Sequence, residues 1–417
     1  MMSTKMDGFI GSGVAAESVL DATTILHGPG GCRIHLSRLS GRYVKREFEI
    51  REGDYFFHFE RVPCTFIDRD DYIYGASKKI ALVLEMLENE NTKFATILQS
   101  PGASLIGDKL KDEVLQQGLD YKTAVMDTSF MSEKFSVGFD TTLVKMAEKI
   151  VKPNEKRKGT VNIIGLPFTS RGYYELVKEL RSVLGRMGIE VIATIGCGCT
   201  LDEFSRSSSA EFNIAIMPEY SERLSKFYLD EYGIPTIRSE MGAPIGYYAM
   251  RAFVETIAGA MGVDAGPILK DLEDDRHMVE ITIDSSMNVG ELLNYKTFSI
   301  EGESSVIYPL ADFMIRYMKM VPKSIHITES DPFFEKKIMD ILEKMGCTSA
   351  IEEEFGAGYT NILFGAGSYV KLLQEQNRCG IGVDICLPSQ DMIDIAPKSI
   401  MGIQGLHKML DDILNSR

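Results

Sequence analysis

The chain has 417 residues, 44% of them hydrophobic and 25% charged, with 45 Lys and Arg against 60 Asp and Glu for a formal charge of −15. At roughly 150 residues per domain this length makes two or three globular domains, each able to bury a core. The acidic surplus, relieved by one short basic run at 152–158, argues against nucleic acid as a partner, because phosphate recognition needs concentrated positive surface.

Seven cysteines, odd in number and irregularly spaced, do not make a disulfide scaffold. A clustered pair then reads as a metal or redox ligand set in a reducing compartment. The opening MMSTKMDGFIGSG lacks the basic and apolar regions of a signal peptide, and no stretch approaches the about 18 apolar residues of a membrane span. A cytoplasmic protein without a membrane segment is expected.

In chain order, the first third offers strands at 23–26, 94–98 and near 122–126, with a helix around 78–87. The polar segment 152–159 reads as a linker. A strand follows at 161–164, then Leu176, Val177, Leu180, Val183, Leu184 and Met187 recur at helical spacing, Gly188 stops the helix, and 191–195 is a second strand. This is a βαβ unit. A strand at 213–217, an amphipathic helix with Leu224, Phe227, Tyr228 and Tyr232, and a strand around Ile237 complete a doubly wound sheet. The segment 264–308 mixes acids with short β-like pieces such as 279–283 and reads as a connector or insertion. Beyond it come a strand at 324–328, a helix over 333–345 stopped by Gly346, a strand at 361–364 and a helix from Ser368. The expected fold is α/β, with three Rossmann-like, doubly wound parallel-sheet domains. The division is 1–158, 159–262, a connector at 263–320, and 321–417.

Ligands of parallel sheets collect at the carboxyl ends of strands, so the residues just after strands carry the chemistry. His27-Gly28-Pro29-Gly30-Gly31-Cys32 packs three glycines and a proline before a cysteine; Gly30 and Gly31 let the backbone approach a bulky ligand and aim amides at sulfur. Such a loop suits an iron–sulfur ligand, and a tight turn with a buried cysteine is the alternative. Cys64, beside Pro63, reads as a second ligand of this kind or as structural. Cys197 and Cys199 form a C-x-C pair that can chelate metal, switch as a redox pair or simply pack. Cys347, Cys379 and Cys386 read as packing residues, and His27 as orienting its loop, donating to a cluster sulfur or serving structure.

Several machines are missing. There is no G-x-x-x-x-G-K-[ST] loop, and no G-x-G-x-x-G follows a first strand, so the chain itself is not expected to bind a nucleotide. None of the six histidines stands in an H-x-x-x-H or H-E-x-x-H arrangement, which argues against a zinc hydrolase.

Taken together, HGPGGC at 27–32, the T-x-x-D-x-x-D-x-I-Y-G-A-x-x-K pattern from Thr65, SPGASLIGD at 100–108, the stretch from Asn162 through Gly233-Ile234-Pro235, Ala243-Pro244-Ile245-Gly246 and Met401-Gly402-x-x-Gly405 resemble the nitrogenase component 1 family of oxidoreductases. That family includes nitrogenase catalytic subunits, their cofactor-assembly scaffolds, light-independent protochlorophyllide reductase subunits and the nickel-sirohydrochlorin diamide reductive cyclase of methanogens. The resemblance covers most of the chain apart from 264–308. It implies three Rossmann-like domains, a paired subunit, an interfacial iron–sulfur cluster, and electrons from a separate ATP-hydrolysing iron protein for reduction of a small molecule.

The resemblance also exposes departures. Cys32 matches one family cluster ligand, Ser100 stands where another would be, and 8–13 offers no cysteine for the first. Two copies contributing Cys32 and Cys64 each would give four thiolates for a [4Fe-4S] cluster; otherwise a different partner completes the site, or Ser100 ligates. Met217 and Met392 fall where nitrogenase holds its cofactor with cysteine and histidine, so nitrogen fixation on that cofactor is excluded. A cleft lined by the 197–199 loop, Met217, Glu219 and 240–246 is the expected substrate pocket, suited to a tetrapyrrole. The alternatives are a non-catalytic scaffold or carrier of a metallocofactor, or a partner subunit of a heteromeric complex.

Overall fold

The computed structural model describes residues 6–43, 62–89, 92–285, 293–387, 389 and 399–415. Its strands form three wholly parallel sheets. The first contains β1 (Thr23–His27), β2 (Ala95–Gln99) and β3 (Thr123–Val125) in the order β1-β2-β3. The second contains β4 (Thr160–Ile164), β5 (Glu190–Thr194), β6 (Phe212–Ala215) and β7 (Thr236–Arg238) in the order β5-β4-β6-β7. The third contains β8 (Thr297–Glu303), β9 (Val321–Glu329), β10 (Thr360–Gly365) and β11 (Cys379–Asp384) in the order β11-β10-β8-β9. The last two share one topology, each reversing direction between its first and third strands, the position where open α/β sheets leave a crevice. Among the described strands of the first sheet there is no such reversal, so double winding belongs to the second and third.

The sequence reading of 263–320 as a connector is corrected by β8, which lies inside the third sheet, paired with both β9 and β10. Its sequence, TFSIEGE, hides this because Glu301 and Glu303 are buried acids, and a hydrophobic pattern cannot reveal them. The β-like piece at 279–283 lies instead in the helix Gly266–Ser285. Its local alternation is overridden by Ile268 and Leu272, buried four residues apart, and by Arg276 pairing with Glu273 and Glu280 along the helix. The last helix, Gly402–Asn415, leaves the third sheet and packs on Tyr173–Arg186 and Gly246–Met261 of the middle unit. Glu179 anchors it, accepting the amides of Ile403 at 2.6 Å and Gln404 at 3.3 Å.

The helix Gly8–Glu17 lies along Phe135–Ile150, ahead of the second sheet. Glycines allow the approach: a β-carbon on Gly138 would overlap the backbone of Gly8, and one on Gly11 would overlap the carbonyl of Phe135. The carboxylate of Asp140 on the longer helix accepts the amides of Arg223 at 2.6 Å and Leu224 at 3.0 Å, fastening it to the middle unit. Among the described residues no helix is long and apolar enough to cross a membrane.

Candidate cluster site at the carboxyl end of β1

β1 ends at His27, and the chain turns through Gly28 and Pro29 into the helix Gly30–Tyr43, so Gly30, Gly31 and Cys32 occupy its first turn. Beside β1, Cys64 forms a one-residue parallel bridge with Leu26. The amide of Leu26 donates to Pro63 at 2.8 Å, and that of Thr65 to Leu26 at 3.1 Å. Cys32 and Cys64 thereby join one apolar cluster with Phe9, Leu36, Leu98 and Met126.

Gly28 is the centre of this turn. Its amide donates to Thr65 Oγ1 at 3.0 Å, its carbonyl accepts the Cys64 thiol at 3.1 Å and the Ile67 amide at 3.1 Å, and a β-carbon there would lie 2.6 Å from Ser100 Oγ. Within the protein itself, close approach requires glycine at Gly28. A β-carbon on Gly30 would lie 3.2 Å from the Phe66 ring, and nothing lies within 4 Å of one on Gly31. Ser100 is brought to the same end, since it follows β2 and its amide donates to the His27 carbonyl at 2.9 Å. Its hydroxyl is fully buried and accepts the amide of Ala103 at 3.3 Å.

The two thiols differ in setting. Burial pushes the Cys32 thiol up, with Asp7 adding to the effect. Burial also pushes Cys64 up, opposed by the Phe66 amide and by Arg33. Phe66 sits at φ 48°, left-handed backbone that is uncommon for an aromatic residue, and this turns its amide onto Cys64 Sγ at 3.4 Å. An amide aimed at sulfur stabilises thiolate and tunes a metal bound to it.

The surrounding motifs lock these loops. Fully buried His27 bonds through Nε2 to Asp108 Oδ2 at 3.0 Å, and Asp108 also accepts the Ala76 amide at 3.0 Å and the Ser77 hydroxyl at 3.3 Å. One carboxylate therefore ties the HGPGGC turn to the start of the helix Ser77–Asn89. Of the roles open to His27, this geometry supports the structural one. The T-x-x-D-x-x-D pattern closes on Lys79, whose ammonium reaches Asp68 at 2.9 Å, Asp71 at 2.5 Å and the Phe66 carbonyl at 3.2 Å.

Cys197 and Cys199 lie elsewhere. Their loop packs on residues 18–20, where Gly198 donates to Ser18 at 3.1 Å and Leu20 donates to Cys199 at 2.9 Å. That is the amino end of β1, a strand length of about 13 Å from the carboxyl end where the turn to Cys32 begins. Both are buried, Cys197 donating to the Thr194 carbonyl at 3.5 Å, and burial pushes Cys197 up to about 12 and Cys199 well above its ordinary value. Burial thus favours the neutral thiol at both positions. Cys379 opens β11 and Cys386 lies beyond its end, so the strand separates them; Cys386 donates to the Glu301 carbonyl at 3.2 Å. Among the described residues no group of three or more His, Cys, Asp or Glu is arranged to hold a metal, and the β1 end supplies two thiols.

The expected substrate cleft is narrower than the sequence reading. Met217, after β6, lines a cavity of about 20 Å³ with Ser170, Arg171, Glu303, Asp384 and Met401, between the second and third sheets. The 197–199 loop does not reach it. Glu219 turns to Ser304 and Ser305, accepting at 2.6 to 2.8 Å, and the 240–246 segment packs on Ser305, whose carbonyl accepts the Ala243 amide at 2.9 Å. Met392 lies outside the described residues. The sequence reading does not single out Ser170, Arg171 and Glu303; Ser170 and Arg171 lie in the loop that follows β4, whereas Glu303 ends β8, a strand the residue pattern hides.

Three parallel sheets in this arrangement define a nitrogenase component 1 fold. A solved structure titled "Nitrogenase Cp1 at pH 6.5" superposes with a TM-score of 0.78 over 100% of this chain and 94% of that one, at 14% identity. The profile of the nitrogenase component 1 type oxidoreductases matches residues 8–416, and the chain belongs to that family. It is 28% identical over 187 residues to a light-independent protochlorophyllide reductase subunit of Methylobacterium sp. (strain 4-46), covering 41% of this chain and 36% of that protein. It is 22% identical over 290 residues to the corresponding protein of Rhodopseudomonas palustris (strain TIE-1), covering 66% and 52%. The chain thus spans about a third to a half of the length of these relatives.

Proposed function

We propose that this chain is a nitrogenase-like reductase component that takes electrons from an ATP-hydrolysing iron protein through an iron–sulfur cluster at a subunit interface and reduces an unsaturated small molecule, of which a tetrapyrrole is the favoured class. The observation that carries the reading is the pairing of Cys32 and Cys64 in one cluster at the carboxyl end of β1. Two thiols fit half of a [4Fe-4S] ligand set, and a second chain related by a twofold axis supplies the other half. Exposed Ile34, Phe66, Tyr72, Ile73, Tyr74 and Leu105 on the same loops favour a covered face. Once bound, the cluster supplies low-potential electron transfer. The chain's own residues present thiols, direct the Phe66 amide at Cys64, and keep the loops fixed through His27 and Asp108.

Iron and acid-labile sulfide analysis with electron paramagnetic resonance, on protein reconstituted without oxygen, tests this. About four irons per dimer is the expected content, lost in both Cys32→Ser and Cys64→Ser. Wild-type protein that stays free of iron rejects the reading, and loss in Cys32→Ser alone leaves Cys64 structural. Because one chain brings only two thiols, a partner subunit of a heteromeric complex is the second reading; copurification with a homologous chain carrying three cysteines favours it.

A further inference from the structure

A set of buried acids lies where the second and third sheets meet. Glu303 ends β8, is 2% exposed, and accepts the Tyr220 hydroxyl on Oε1 at 2.6 Å. Its Oε2 is buried with no hydrogen-bond partner among the described residues, as is the hydroxyl of Ser170, and both residues line the cavity of about 20 Å³ beside Met217. A buried carboxyl oxygen without a partner is costly as a carboxylate and tolerable as an acid. The neighbours reinforce this: Glu219 and Glu329 raise the cost of a further negative charge, with Asp384 and Cys386 also close by, while Arg171 donates to the Asp384 carbonyl at 3.3 Å. Burial pushes Glu303 up to about 7, against the pull of the Tyr220 bond.

We propose that Glu303 is the proton-donating residue of this cleft, passing the proton of Oε2–H by way of one water beside Ser170 and Met217 to the reducible bond of a ligand outside the cavity, while Oε1 stays bonded to Tyr220; this rests on the reading of the chain as a reductase. A cavity of about 20 Å³ holds one water, for which Glu303 Oε2 and the Ser170 hydroxyl are the unpartnered polar groups, so the ligand itself lies outside. Reduction of a carbon–carbon or carbon–nitrogen double bond consumes two electrons and two protons. The electrons arrive singly from the low-potential iron–sulfur donor protein. One proton leaves Glu303 through the intervening water as the new C–H or N–H bond forms and the π bond breaks, the second comes from solvent, and solvent reprotonates the carboxylate. Tyr220 is a positioning residue: burial raises its hydroxyl far above the usual range, so it donates a hydrogen bond and keeps its proton.

Difference infrared spectroscopy of the full chain between pH 5 and 9 tests the assignment. A carboxylic acid band that disappears with a midpoint near 7 is expected, absent in Glu303→Gln and moved to higher pH in Tyr220→Phe, where a bond favouring the carboxylate is lost. An unchanged band in Glu303→Gln overturns the proposal. With an ATP-hydrolysing iron protein and protochlorophyllide as probe, Glu303→Gln is expected to lower kcat about 100-fold at unchanged KM and unchanged iron content; a wild-type rate overturns the donor role. Wild-type protein that carries iron and the titrating band but does not reduce the probe rejects tetrapyrrole reduction, and with it proton donation to that class. Wild-type protein without iron rejects the reductase reading itself.

Discussion

The thiol of Cys64 donates to the main-chain carbonyl of Gly28 at 3.1 Å, so the second cysteine of the site is held by the glycine turn that leads to the first. Removing the thiol as Cys64→Ala leaves Leu26 and Thr65 paired but costs this bond and a buried contact. We expect a loss of about 1–2 kcal/mol in the metal-free chain, read by urea denaturation.

Thiol accessibility separates the cysteines. Cys32 is half-buried, whereas Cys197 and Cys199 are enclosed. Iodoacetamide on the native chain is expected to modify Cys32 and to spare Cys197 and Cys199 until denaturant is added, with peptide mass analysis as the readout. Cys197→Ala and Cys199→Ala are expected to leave iron content unchanged.

Asp108 serves three groups at once, and Asp108→Ala is expected to cost about 3 kcal/mol by stranding His27 and the amide of Ala76. Burial holds His27 below its ordinary value of about 6.5 despite Asp108. The unfolded chain therefore binds a proton there that the folded chain refuses, and stability falls as pH drops below about 6.5 toward the folded value. Stability curves at pH 5.5 and 7.5 should show this contribution, and His27→Gln should remove it.

Glu303 acts in the opposite sense. Its folded value near 7 lies above that of an exposed glutamate, so its contribution to stability is retained at low pH and declines as pH rises from about 4.5 to 7. The difference is of order 3 kcal/mol. Glu303→Gln is expected to be the more stable protein at pH 8, with the advantage shrinking toward pH 5 in denaturant titrations.

The crossing of Gly8–Glu17 on Phe135–Ile150 has no room for a methyl group at Gly138, where backbone blocks it. Gly138→Ala is expected to cost about 3 kcal/mol, whereas alanine at Gly185, with open space beside it on an exposed helix face, should be neutral or slightly stabilising. Thermal unfolding of the two variants distinguishes them.

Strands with mostly apolar residues, such as β4 and β6 with one buried asparagine each, and helices with a clean apolar face, such as Tyr173–Arg186, were legible from the residues because local pattern records which side is buried. β8 was not, because its Glu301 and Glu303 are buried by neighbours far away in the chain. Cys32 and Cys64 could be named from their loops. Their meeting is one arrangement among several that the residues allow, and the geometry behind it, a bridge between Leu26 and Cys64, is not written in local spacing.

Residue order alone determined the α/β class, the family motifs and the cysteines worth attention, since each rests on short-range spacing. The tertiary structure decided that Asp108 joins two motifs, that Cys197 and Cys199 are buried at the amino end of β1, and that Glu303 lines a small cavity between two sheets. Those depend on burial and on partners up to hundreds of residues apart, and it is burial that decides whether a thiol or a carboxyl keeps its proton.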